Sequence, residues 1–116
     1  MFFTFNQNNS FGSFDYDEER GIVDYVIVEA DSVEDAVKRA EKVGLYFDGC
    51  EKGVDCPCCG DRWYAPWDDG SENPEVYGEN VLTEGVRESF EGSKYSTAIH
   101  YKDGTMRLLE GTKARF

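Results

Sequence analysis

Histidine and basic residues are what this chain has least of. His100 is the single histidine among 116 residues, and twelve Lys and Arg face twenty-four Asp and Glu, for a net charge of −12. With one histidine there is no H-E-x-x-H metal helix, and neither a phosphate-cradling glycine loop nor a nucleophile elbow is present. Nucleic-acid affinity comes mainly from Lys and Arg against phosphates, so the acid excess disfavours direct nucleic-acid binding. No apolar run approaches the roughly 18 residues of a membrane helix, and no basic stretch follows Met1, as a secretory leader requires. The expected setting is therefore the cytosol, without a membrane partner. Internal repeats and low-complexity tracts are also absent.

What is present is enough for one folded domain, residues 1–116. Apolar residues make up 40% and aromatics 15%, so the chain can bury enough surface to offset its ordering entropy. Residues 1–7 are strand-like, with Phe2, Phe3 and Phe5 as aromatic strand formers. A turn is expected over Asn6-Gln7-Asn8-Asn9-Ser10, and the acids Asp15, Asp17, Glu18 and Glu19 read as a solvated turn. Residues 22–29 are apolar on both alternating faces except at Asp24, which places that strand centrally in a sheet. Asp31 or Ser32 can cap a helix whose Val33, Ala36, Val37, Ala40 and Val43 form one apolar stripe, with Lys38, Arg39 and Lys42 toward its negative end and Gly44 ending it. Leu45-Tyr46-Phe47 is expected to pack where the helix exits.

Residues 45–92 read as a mostly irregular cysteine and acidic insertion, with a short strand near Val76 and a helical turn near residues 86–90. Asp103-Gly104 predicts a two-residue hairpin turn between strands at 96–102 and 105–110. That register opposes Tyr101 to Met106 and Ile99 to Leu108, and it sets His100 against Arg107 on the face away from the core. The fold class expected is α+β, with roughly four mainly antiparallel strands backed by one amphipathic helix.

Three of the four cysteines crowd into Cys56-Pro57-Cys58-Cys59-Gly60-Asp61-Arg62-Trp63, and Cys50 lies just upstream. Core packing does not explain such clustering. Two residues between the thiols of Cys56 and Cys59 let backbone amides turn toward the sulfurs, and Gly60 permits the tight return. In a reducing cytosol clustered cysteines serve metals more often than disulfides. A structural zinc contributes about 10–16 kcal/mol of apparent binding energy, against about 2–3 kcal/mol for a disulfide closing so short a loop. Zinc is thus the expected cofactor, held by Cys50, Cys56 and Cys59 with Cys58, His100, an Asp or a second subunit completing the set; reduced thiols beneath an aromatic loop are the plain alternative. A nucleophilic cysteine would need His100 as base, and Asp48, Asp55 and Asp61 would raise a thiol pKa and oppose activation.

Arg62, Trp63, Tyr64 and Trp67 follow at once. Such residues dominate binding hot spots through rigid contact area and a planar cation, although they serve equally as a hydrophobic cluster closing a loop. From residue 61 to 91 the chain carries nine acids and two bases. That segment either solubilises the surface or steers a basic protein surface toward it.

The C-P-x-C-G run resembles a zinc-ribbon or rubredoxin-like knuckle and the start of CPCC-type cysteine-rich proteins. A ribbon's second C-x-x-C is missing, and the likeness covers only these residues. The MFFTFNQNNS start, Tyr25-Val26-Ile27-Val28-Glu29-Ala30 with the following helix, Leu45-Tyr46-Phe47-Asp48-Gly49 and the CPCCGDRW run together resemble a group of short bacteriophage proteins over most of the first 67 residues. The resemblance implies expression in the cytosol of an infected bacterium. It leads to the expectation of a non-catalytic host-takeover or counter-defence protein that blocks a host target with a basic surface. One alternative is an oligomeric sponge sequestering a nucleotide-type immune signal between the aromatics and Arg62 or Arg107. Another is a cysteine- or zinc-dependent enzyme.

Overall fold

A computed structural model describes residues 1–6, 17, 19–47, 63, 70–76, 79–83, 85–86 and 95–111. Its elements are β1 (Phe2–Asn6), β2 (Tyr25–Glu29), α1 (Val33–Val43), β3 (Glu75–Val76), β4 (Glu79–Asn80), β5 (Tyr95–His100) and β6 (Met106–Glu110). The main sheet has the order β1-β2-β5-β6, and β3 and β4 form a separate two-stranded ribbon. The protein is α+β, with four strands in the main sheet and one helix among the described residues.

The outer ladders, β1–β2 and β5–β6, are antiparallel, whereas the inner ladder β2–β5 is parallel. Parallel neighbours need a long crossover, and the chain between β2 and β5 supplies it. Such strands are covered on both faces, and β2 is buried at Tyr25, Val26, Ile27 and Val28 alike. One face carries Phe3, Phe5, Val26 and Val28 against Ala36 and Ala40 of α1, with Ala30, Leu45 and Trp63 in the same cluster. Each fully buried Phe or Val side chain there is worth about 1.5–3 kcal/mol. Tyr46 and Phe47 pack against this core, and the Phe47 ring lies 5.7 Å from that of Phe5. The other face carries Tyr25, Ile27 and Ile99 beneath Val76, Val81 and Val86. Part of the segment expected to be mostly irregular is thus the second covering layer. It is tied to β1 by paired main-chain bonds between Phe2 and Ser71, and by Thr4 Oγ1 donating to the Glu75 carbonyl.

Helix α1 forms as its sequence dictates. Ser32 is the cap, its hydroxyl accepting from the Asp35 N–H at 3.1 Å, and Gly44 ends the helix at φ 128°. Asp35 also accepts from Arg39 Nε one turn later, at 3.0 Å.

The β5–β6 hairpin differs from its expected register by one residue. Ile99 opposes Arg107, His100 opposes Met106 and Ala98 opposes Leu108. The connection has three residues rather than two. Gly104 N–H closes a turn on the Tyr101 carbonyl, Gly104 takes φ 93°, and Tyr101 N–H then bonds the Thr105 carbonyl. Asp103 stabilises this longer turn, its Oδ1 accepting from Thr105 N–H at 2.9 Å and from the Thr105 hydroxyl at 2.6 Å. A one-residue slip moves every side chain to the opposite face. His100 pairs with Val28 across the parallel ladder and so joins Val26 and Val28 on the helix face, while the slip puts Arg107 beside Ile99 on the other. The helical turn expected near residues 86–90 lies outside the described residues apart from Val86.

Two glycines test this geometry. A Cβ on Gly104 would meet nothing within 4 Å, whereas one on Gly21 (φ 72°) would come within 2.7 Å of the His100 ring and closer still to Met106 Sδ. Gly104→Ala should cost only the left-handed backbone penalty, about 1 kcal/mol. Gly21→Ala should cost about 2–3 kcal/mol, because the His100 ring and its hydrogen bond are displaced as well. Urea unfolding midpoints of the two variants check this order; equal losses would contradict it.

Candidate functional site

Of the residues expected to form a site, Trp63, His100 and Arg107 are placed. Cys50, Cys56, Cys58, Cys59, Arg62, Tyr64 and Trp67 lie outside the described residues. Among the described residues no group of three His, Cys, Asp or Glu side chains gathers around a point where a metal would sit.

Trp63 is a core residue. It is 2% exposed and shares the helix-face cluster with Phe3, Phe5 and Leu45. The chain leaving the cysteine run is thereby anchored at the sheet by the largest side chain in the core. A visitor could meet this indole only by displacing that packing. Arg107 is exposed and lies across the sheet from both Trp63 and His100, so His100 and Arg107, expected to oppose each other, are separated by the sheet.

His100 sits where β5 meets the turn preceding β2. Asp17 and Ile22 exchange main-chain bonds of 2.9 Å, which brings Gly21 over the ring. His100 Nε2 lies 3.0 Å from the Gly21 carbonyl oxygen. A carbonyl only accepts, so this nitrogen carries the proton and Nδ1 is the unprotonated one in the neutral ring. Burial holds the His100 pKa below its ordinary 6.5, and the bond to Gly21 opposes that shift in part.

Beside His100 lies a cavity of about 520 Å³ between α1 and the β5–β6 hairpin. Its floor includes Val28, Val43 and His100; Asp35, Lys38, Arg39, Glu41 and Lys42 line it from the helix, and Gly104 and Thr105 from the hairpin tip. The tip is tied to the helix through one residue. Lys102 N–H donates to Glu29 Oε1 at 2.9 Å, its ammonium pairs with Asp31, and its carbonyl lies 3.5 Å from Arg39 Nη1. Asp35 is held below its ordinary pKa of 3.8 chiefly by Arg39, and Asp103 below the same value by Thr105.

Sequence reasoning assigned Lys38, Arg39 and Lys42 to the helix dipole alone and missed the cavity. The missing signal was the parallel β2–β5 register, which sets His100 beside Val28. With His100 on the helix face, the helix flank and the hairpin tip bound a common space.

Trp63→Ala should destabilise the protein by about 3–5 kcal/mol, the range for truncating a buried Trp; denaturant unfolding reads it, and a loss within experimental error would remove the anchor. His100 yields a pH prediction. Its native pKa lies below its unfolded value, so the unfolded state binds the extra proton between the two, and stability falls as pH drops below about 6.5. Asp35 and Asp103 act in a lower window, since their contribution is lost only as pH falls below 3.8 and through their lowered values. The wild-type melting temperature should therefore fall below pH 6.5 more steeply than that of His100→Gln. Parallel curves would show that His100 is not titrating against burial.

No curated protein and no solved structure matches the chain. A family model does match it across residues 1–115, and the chain belongs to the family described as domain of unknown function DUF7296.

Proposed function

We propose that this chain is a non-catalytic binding protein, of the phage host-takeover or counter-defence kind, that occupies a basic surface on a host protein. The observation that carries the reading is the way the acidic segment is built. Val76, Val81 and Val86 root it in the core, so its acids stand on a fixed layer. Glu72 is exposed, Glu75 and Glu79 are half-buried, and Leu82 stands 44% exposed on the turn after β4. Acids flanking an exposed aliphatic side chain suit a partner that offers cations around an apolar pocket. Holding those side chains on a packed ribbon lowers the ordering cost of association.

Neutral His100, tied to the Gly21 carbonyl, supports the non-catalytic reading, since burial weakens it as a base. Zinc at Cys50, Cys56, Cys58 and Cys59 belongs to the same proposal as a brace for the cysteine run, and native mass spectrometry of the purified protein reads the bound metal.

The docking reading predicts a salt-sensitive complex. A host protein of basic surface captured on the immobilised chain should be released as ionic strength rises. The Glu72→Gln/Glu79→Gln/Leu82→Ala variant should weaken capture by at least about tenfold, or about 1.4 kcal/mol. A complex indifferent both to salt and to these substitutions would overturn the assignment of this surface.

A further inference from the structure

We propose that the cavity between α1 and the β5–β6 hairpin binds a small phosphomonoester of about mononucleotide size. The inference is independent of the docking surface, which lies on the opposite face of the sheet. Three features of the cavity carry it.

The first is charge. Lys38, Arg39 and Lys42 are three of the twelve Lys and Arg in a chain of net charge −12, and they line one cavity. The two acids beside them do not cancel this concentration. Asp35 is already engaged, by Arg39 Nε at 3.0 Å and by the Asp31 N–H at 3.4 Å. Lys38 and Lys42 are exposed, one helical turn apart, and form no ion pair among the described residues. Glu41 alone opposes them, so the lining is net positive where the molecule as a whole is strongly negative. A cleft with a low-dielectric floor focuses such a local field toward solvent.

Second, the size and the walls fit an organic anion better than a bare ion. A volume of about 520 Å³ is far larger than phosphate needs and falls within the range of small-molecule sites, about 300–1,000 Å³. Val43, half-buried near the helix end, gives part of the lining an apolar surface, on which an uncharged portion of the ligand can rest.

The third feature is preorganisation. The His100 ring is fixed by Gly21, the hairpin tip by Asp103 and Thr105, and the tip is joined to the helix through Lys102. Walls held in this way lose little freedom when a ligand enters. A phosphomonoester is favoured over a carboxylate because it brings a charge of about −1.5 to −2 at pH 7 and three acceptor oxygens to the ammoniums of Lys38 and Lys42, with Arg39 beside them already paired to Asp35.

Thermal melting with four probes tests the proposal: adenosine 5′-monophosphate, ribose 5-phosphate, adenosine and inorganic phosphate. Adenosine 5′-monophosphate and ribose 5-phosphate should raise the melting temperature saturably at millimolar concentration, and adenosine should not. A larger shift with the nucleotide places the base against Val43, whereas equal shifts mean that the sugar phosphate alone is recognised; both support the site. The Lys38→Glu/Lys42→Glu variant changes only exposed positions, and it should lose affinity by at least about tenfold. Glu41→Gln should bind at least as tightly as wild type. Amide chemical-shift changes in the unmodified protein should centre on Val28, His100 and Gly104. The proposal is overturned if neither phosphorylated probe shifts the melt, if adenosine matches them, if inorganic phosphate alone matches them, if the double variant binds as wild type, or if the perturbed amides lie elsewhere.

Discussion

Everything in this fold follows from the pairing of β2 with β5. A parallel pair at the centre of a four-stranded sheet presents apolar side chains above and below, and neither set can be left in water. Val26 and Val28 look one way, Tyr25 and Ile27 the other, and all four are buried. Two separate covers are therefore required. The amphipathic helix with Trp63 supplies one, and the chain around β3 and β4 supplies the other.

The two covers differ in charge, and this divides the surface. The helix flank brings lysines and an arginine to the space beside the hairpin, while the opposite cover carries Glu72, Glu75, Glu79 and an exposed Leu82. A chain with twice as many acids as bases can thus hold a local excess of cations without losing its overall repulsion toward anions. The sheet keeps the two regions apart.

Legibility in the sequence followed how local the determining forces are. The helix was readable to its ends because Ser32, Asp35 and Gly44 act within a single turn of their own positions. The central place of β2 was readable because both of its faces are apolar. The parallel ladder was not, since nothing within residues 22–29 or 95–100 records the direction of a neighbour far along the chain. At the hairpin, Asp103-Gly104 marked the turn but not its length. The Asp103 carboxylate chose the three-residue form by capping Thr105, and that choice moved Arg107 off the face that His100 shares with Val28. Trp63 shows the same ambiguity from another side. A Trp beside cysteines and acids suits either a surface or a core, and the tertiary packing against Phe3 and Phe5 decided for the core.

The inner ladder also carries a kinetic consequence. Its neighbouring contact from Lys102 to Glu29 joins residues 73 positions apart, and that from His100 to Gly21 joins residues 79 apart. Closing loops of that length costs about 4 kcal/mol of chain entropy before any contact repays it. Helix and hairpin, whose contacts are local, can form early, but the sheet is completed only when its distant halves meet. High contact order of this kind makes assembly slow for so small a protein, and until the halves meet the apolar edges of the nascent strands stand open to association with other chains.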